Sequence, residues 1–221
     1  RALTRMIREE GVMNGKICTD ISRLEDILAE VRAYTIKDAV AHVTTGQEED
    51  IRPEHPRFKV ALWDFGAKGN IQRRLCARGC EVVVFPAQST AQQILDLHPD
   101  GIMLSNGPGD PAENTGIITQ LAELCRQGIP TFGICLGHQL LALSQGARTE
   151  KLKYGHRGAN QPVREQATGR VFMTSQNHGY AVVGESLPEG ASVSFINAND
   201  GTCEGVRYRY MPAFSVQFHP E

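Results

Sequence analysis

The segment Gly133-Ile134-Cys135-Leu136-Gly137 sets a cysteine between glycines at the spacing of a nucleophile elbow, a sharp strand-to-helix turn that lifts one side chain clear of its neighbours. The glycines allow the turn and keep bulk away from a substrate, while the following helix directs free N–H groups and its positive dipole end at the sulfur. A free thiol of pKa about 8.5 is only a few per cent ionised at neutral pH, and a helix terminus supplies at most about 2 kcal/mol, roughly one and a half pKa units. A basic partner is therefore expected. His138, His156, His178 and His219 are the candidates, and local sequence alone does not choose among them. His138 falls one turn into the helix, where packing suits it better than catalysis. His219 follows the apolar run Phe214-Ser215-Val216-Gln217-Phe218, and Glu221, two residues on, can share its side of an extended chain and orient the imidazole. Cysteine, base and orienter make a generalised triad in the chain order Cys, His, Glu. Taken alone, His219-Pro220-Glu221 reads as an ordinary exposed strand end. Cys18, Cys76, Cys80, Cys125 and Cys203 read as small buried apolar residues.

Other matches lack their companions. Asp64-Phe65-Gly66 has the letters of a kinase magnesium motif without a glycine-rich nucleotide loop or catalytic-loop signature, and Gly66-Ala67-Lys68-Gly69 is too short for a phosphate loop. Cys76 and Cys80 bracket a helix end with no second ligand pair, and no H-E-x-x-H occurs, so no metal is expected. The run from Lys151 to Arg157 reads as a solvated basic face. With 23 basic and 25 acidic residues the net charge is -2, too small to gather nucleic acid or anionic lipid, so a small neutral or zwitterionic substrate fits better. Six cysteines without paired spacing, no apolar leader and no apolar stretch of membrane-spanning length predict a reduced, cytoplasmic protein.

These residues need a frame. From residue 58 short apolar runs alternate with helical patterns: strands over 58–65, 81–85, 101–104 and 130–134, helices over 70–77, 91–97, 117–127 and 136–144. The alternation predicts an α/β fold with a doubly wound, mostly parallel sheet. After Gly146, shorter strand-like stretches with turn signals at Asn177-His178-Gly179 and Asn199-Asp200-Gly201 predict antiparallel additions. Before it, residues 1–45 read as helical, with a Gly11 stop and a second helix through Leu24, Ile27, Leu28 and Val31 capped by Asp20 or Ser22. Residues 46–56 are polar and acidic and read as a linker. Two parts follow: 1–50, the end of a preceding domain with its linker, and 56–221, the α/β domain. With Arg1 at one end and Glu221 closing an apolar run at the other, the sequence reads as cut at both. In open α/β sheets ligands sit beyond the carboxyl ends of strands, where residues 64–66, 105–111 and 133–139 fall.

A Gly-x-Cys-x-Gly elbow with a late His-Pro-Glu resembles the class I glutamine amidotransferases over everything from about residue 58 onward. Within that family, residues 105–111, 133–143, 154–158 and 174–180 are similar to the glutaminase subunits of carbamoyl-phosphate synthases, as are Arg1-Ala2-Leu3-Thr4-Arg5 and Val43-Thr44-Thr45. The resemblance implies Cys135 as nucleophile, His219 as general base and acid, and Glu221 as its orienting partner. It implies an oxyanion hole from the N–H groups of Gly107 and Leu136. It also implies a glutamine site of Gly107, Gly109, Leu136, Gln139, Asn177, Gly179 and Tyr180. Tyr180 stands where phenylalanine is common, which is harmless if the contact is through backbone, and a serine that the family supplies from its amino-terminal domain lies outside these residues. The implied partner is the large subunit, separate or fused, which alone would use ATP and magnesium, with no cofactor in this chain. The ammonia released would feed carbamoyl phosphate for pyrimidine and arginine synthesis. A peptidase or γ-glutamyl hydrolase on the same fold, and a regulatory subunit with a decayed site, are the competing readings.

Overall fold

Apolar runs covered on both faces have no reason to alternate, and in the segment Phe58–Asp64 every side chain from Val60 to Asp64 is buried. The computed structural model describes residues 1–221 and makes this segment the second strand of a ten-stranded sheet. The strands are β1 (Glu49–Ile51), β2 (Phe58–Asp64), β3 (Cys80–Pro86), β4 (Gly101–Leu104), β5 (Thr131–Ile134), β6 (Thr149–Glu165), β7 (Val171–Val182), β8 (Ala191–Asn197), β9 (Cys203–Tyr208) and β10 (Ala213–Val216). The helices are α1 (Ala2–Glu10), α2 (Leu24–Ala33), α3 (Gly69–Cys76), α4 (Ala91–Asp96), α5 (Thr115–Cys125) and α6 (Leu136–Ser144). The order across the sheet is β1-β3-β2-β4-β5-β10-β9-β7-β6-β8. β3, β2, β4, β5 and β10 run parallel, and the strands beyond them pair antiparallel. This is the doubly wound α/β sheet with antiparallel additions that the element pattern requires.

Successive side chains of the parallel strands enter separate cores. Ala61, Trp63, Val83, Phe85, Ile102 and Leu104 pack with residues of α4, α5 and α6, whereas Val60, Leu62, Val82, Val84, Met103, Ile134 and Val216 pack with Ile71 of α3. Helices thus cover both faces, and the parallel strands end at one edge, where the loops after β2, β4, β5 and β10 gather.

Several local readings change, among them that Cys18 is exposed and Cys76 half-buried rather than buried apolar residues. The expected linker contains β1, antiparallel to β3 and so an edge strand: a short acidic stretch can serve there because only one side needs pairing. The expected turn at Asn177-His178-Gly179 does not occur, because β7 runs straight through it. The irregularity sits opposite, in β6, where Gly155 (φ 70°) and Gly158 (φ 124°) take left-handed conformations beside two register shifts. The run 151–157 is likewise not one solvated face, since strand alternation turns His156 inward. Lastly, α2 starts without a side-chain cap: Asp20 accepts instead from the N–H and hydroxyl of Ser22, closing a local turn. The Gly11 stop (φ 89°) and the reversal at Asn199-Asp200-Gly201 occur as read.

α1 and α2 bury no side chain, but the residues after them fold back over the sheet. Val40 joins the main core, the Thr44 hydroxyl donates to the Asp64 carbonyl at 2.6 Å, and the Thr45 N–H donates to the Asp64 carboxylate at 2.6 Å. The same carboxylate accepts the N–H groups of Gly66 and Ala67, so Asp64-Phe65-Gly66 is a capped turn that shapes the rim of the cleft.

Candidate active site

Cys135 lies between β5 and α6 with φ 53° and ψ −104°, a conformation that costs a non-glycine residue on the order of 1–3 kcal/mol. Its surroundings hold it there. The Cys135 N–H donates to the Val216 carbonyl at 2.9 Å, and its own carbonyl accepts from the Gln139 N–H at 3.2 Å. The two glycines of the elbow are steric requirements: a Cβ at Gly133 would meet the Gly137 carbonyl oxygen at 2.7 Å, and one at Gly137 would meet the Leu104 carbonyl oxygen at 2.4 Å. α6 can therefore press against the ends of β4 and β5 only with no side chain at either position.

β10 pairs with β5 in parallel, Val216 opposite Ile134, and so carries His219 past the end of the sheet beside the elbow. The His219 N–H donates to the Ser175 carbonyl at 3.0 Å, pinning the turn to β7. His219 Nδ1 lies 2.9 Å from Glu221 Oε1, and since a carboxylate only accepts, Nδ1 carries the hydrogen and Nε2 is left as the basic nitrogen. Both side chains are nearly buried. Lys68 Nζ approaches the same Oε1 at 3.4 Å, and Asn70 Nδ2 donates to the Glu221 carbonyl at 2.6 Å. Burial acts to raise the Glu221 carboxyl, but the His219 hydrogen bond, its own backbone N–H and the His219 and Lys68 charges outweigh it and hold the group below its ordinary value.

The thiol has the opposite balance. Burial pushes Cys135 up to about 12, opposed by the Leu136 N–H and Lys68 and reinforced by Glu221 and Glu204. Burial is the largest influence, and it outweighs the Leu136 N–H at the helix terminus. Burial thus disfavours an isolated thiolate, and chemistry at this sulfur calls for a base that takes the proton as the bond forms.

Leu136 N–H points at the sulfur, and neither it nor the Gly107 N–H donates to another group of the chain. Gly107 must be glycine, because a Cβ would stand 2.2 Å from the Phe65 carbonyl oxygen. Its loop is docked on α6 by the Gly137 N–H donating to the Ser105 carbonyl at 3.0 Å. Gln139 is buried, its amide N–H₂ donating to the Tyr180 carbonyl at 2.7 Å and to Gln217 Oε1 at 2.8 Å, which leaves only its oxygen for a ligand. Asn177 is exposed on β7 and Gly179 half-buried, while Gly109 lies under Ala39 of the folded-back segment. The residues singled out from sequence thus come from well-separated segments to the carboxyl edge of the sheet.

His138 goes elsewhere. It is fully buried, its Nδ1 lies 2.8 Å from the Ser215 hydroxyl, and burial pushes its pKa down to about 3, as befits a packing residue. His156, His178 and Glu204 bring one atom each within 4.8 Å, close enough for a cation, yet all four ring nitrogens already have hydrogen-bond partners. Sequence reasoning missed Lys68, Ser175, Glu204 and Gln217. Ser175 lies inside the 174–180 segment already singled out, but Lys68, Glu204 and Gln217 carry no motif, and only the fold brings the four together.

The glutamine amidotransferase class-I family profile matches residues 61–221. The carbamoyl phosphate synthase small chains of Symbiobacterium thermophilum and Clostridium perfringens are 49% and 47% identical over all of this chain, which spans 62% of the length of each. Among solved structures, a putative GMP synthase protein of Thermoplasma acidophilum superposes with TM-score 0.65 at 23% identity, covering 76% of this chain and 86% of that one. A glutamine amidotransferase of Thermotoga maritima gives 0.61 at 19%, covering 75% and 76%. At such identities the superpositions speak for the fold, whereas the profile spans the elbow, β10 and His219-Pro220-Glu221 together, and the chain belongs to the class I glutamine amidotransferase family.

Proposed function

We propose that this chain is the glutamine-hydrolysing part of a carbamoyl-phosphate-forming enzyme, with Cys135, His219 and Glu221 as its catalytic set. The observation that carries the reading is the His219–Glu221 contact of 2.9 Å just beyond β10, the strand that pairs with β5 before the Cys135 elbow. The similarity to carbamoyl phosphate synthase small chains supplies the acceptor pathway. Cys135 Sγ attacks the side-chain amide carbon of glutamine while its proton passes to His219 Nε2. The oxygen of the tetrahedral intermediate takes hydrogen bonds from the Leu136 and Gly107 N–H groups, a pair worth about 3 kcal/mol per donor in such sites. His219, now an imidazolium steadied by Glu221, returns the proton to the departing nitrogen, and ammonia leaves. Water then attacks the thioester carbon, His219 takes its proton, and glutamate and the free thiol are regenerated. Gly109, Gln139, Asn177, Gly179 and Tyr180 hold the amino-acid end of the substrate. No metal or organic cofactor takes part in these steps; ATP and magnesium belong to a synthetase partner that consumes the ammonia.

The test is reaction of the full-length protein with a chloroketone analogue of glutamine. Covalent capture at Cys135 by peptide mapping, blocked by free glutamine and absent in His219→Asn, is expected. Capture of another cysteine, or protection by a γ-glutamyl peptide but not by glutamine, refutes the assignment.

A further inference from the structure

Asp200, His156, Glu204, Gln176 and His178 form a hydrogen-bonded string that none of the catalytic steps uses. His156 Nε2 lies 2.8 Å from Asp200 Oδ2, and its Nδ1 3.1 Å from Oε1 of the fully buried Glu204. Gln176 Nε2 donates to Glu204 Oε2 at 2.9 Å and to the Thr174 hydroxyl oxygen at 3.1 Å, and Gln176 Oε1 meets His178 Nε2 at 3.0 Å. His178 Nδ1 reaches the Tyr180 carbonyl at 2.8 Å. That carbonyl is the one that accepts from Gln139, four residues beyond the nucleophile. At the other side, the Glu204 backbone carbonyl accepts the Gln217 N–H at 2.9 Å, two residues before His219. The string therefore ties together the strand and the helix that carry the glutamine site.

Counting hydrogens along it gives a definite result. Carboxylate oxygens only accept, so His156, with a carboxylate at each nitrogen, is an imidazolium; the Glu204 hydrogen bond, working against burial and helped by Asp200, raises it to about 9. The Tyr180 carbonyl also only accepts, so His178 Nδ1 carries a hydrogen. The Gln176 amide then has two orientations. With its oxygen on His178, Nε2 of that ring must also carry a hydrogen. With its nitrogen on His178, its oxygen faces Glu204, which must then be protonated. Either way the string holds one hydrogen more than a neutral imidazole facing a carboxylate.

We propose that Glu204 is a positioning residue for the glutamine site, held by His156 at one oxygen and holding the Gln176 amide at the other, so that it sets the Tyr180 carbonyl through Gln176 and His178. The role rests on the glutaminase reading. The side chain introduced by Glu204→Gln can give its oxygen to His156 and its N–H₂ to the oxygen of a turned Gln176 amide, whereas leucine leaves Gln176 and His156 Nδ1 without their partner.

In the full-length protein, Glu204→Gln is expected to keep the KM for glutamine within about threefold of wild type, and Glu204→Leu to raise it at least about tenfold with a smaller change in kcat. Nitrogen NMR of histidine-labelled wild type, assigned with His156→Gln and His178→Gln, is expected to show both nitrogens of His156 protonated and a hydrogen on His178 Nδ1 at neutral pH. An unchanged KM in Glu204→Leu, a KM in Glu204→Gln as poor as in the leucine variant, a bare Nδ1 on His178, or one tightly bound zinc per chain by elemental analysis would each overturn the inference. If Glu204→Leu does not fold, Glu204→Gln and the spectrum decide. Absence of glutamine turnover in wild type would instead strike the functional reading, a result the NMR measurement keeps distinct.

Discussion

The backbone strain at Cys135 can be read by comparing two inactive variants, Cys135→Ala and Cys135→Gly. At an ordinary position glycine is the less stable of the two by roughly 0.4–1 kcal/mol, because it gives the unfolded chain more freedom. At φ 53° and ψ −104° an alanine keeps the Cβ that makes the conformation costly, on the order of 1–3 kcal/mol, and a glycine removes it. Nothing else separates the pair, since both lack the sulfur and neither loses the backbone bonds to Val216 or Gln139. The difference is therefore expected to reverse, with Cys135→Gly more stable than Cys135→Ala by about 1 kcal/mol, or about 0.5 M in urea midpoint for a slope near 2 kcal/mol/M. Urea unfolding followed by tryptophan fluorescence suits the assay, because Trp63 is buried in the core. Alanine equal to or above glycine would refute the claim that the folded chain holds Cys135 under strain.

Lys68→Met removes the cation that faces both Glu221 and the sulfur, so alkylation of Cys135 should shift to higher pH and glutamine turnover fall about tenfold or less; an unchanged alkylation profile would remove Lys68 from the site. His219→Asn should slow both formation and breakdown of the thioester by at least about a hundredfold, measured by rapid quench with labelled glutamine, whereas His138→Asn should chiefly lower the melting temperature; the reverse ranking would mean the base is His138. His138 and His178 have folded pKa values pushed down by burial to about 3 and about 4, below the unfolded value near 6.5, so they favour the folded state above pH 6.5 and that contribution declines as pH falls toward those values. The unfolding midpoint should accordingly drop between pH 6.5 and 5, and the slope should be shallower in His138→Gln; a slope equal to wild type would show that His138 does not stay neutral. Gly137→Ala, whose Cβ would meet Leu104 at 2.4 Å, should displace α6 and abolish turnover, checked by circular dichroism beside activity.

The sequence alone determined four of the five parallel strands, because both-face burial writes continuous apolar runs and their carboxyl ends mark where ligands lie, but it placed the stretch that becomes β10 among the antiparallel additions; 101–104 and 136–144 match β4 and α6 residue for residue. It also determined the elbow, since the glycines at 133 and 137 are there for contacts within a few residues of Cys135 or with the adjacent strand. What local letters left open was the candidate base, which the resemblance put at His219. His138 and His219 look alike as letters, and only the parallel pairing of β10 with β5 sets one beside the cleft and seals the other against Ser215. The turn misread at Asn177-His178-Gly179 has the same origin: the triplet permits a reversal, and pairing with β6 over a long register forbids it. Lys68 and Glu204 carry no local signal, because a polar side chain acquires its partner from groups as far as 151 residues away, as the Asn70–Glu221 bond shows. Local sequence encodes short-range sterics and burial periodicity, while long-range polar contacts exist only once the chain has closed on itself.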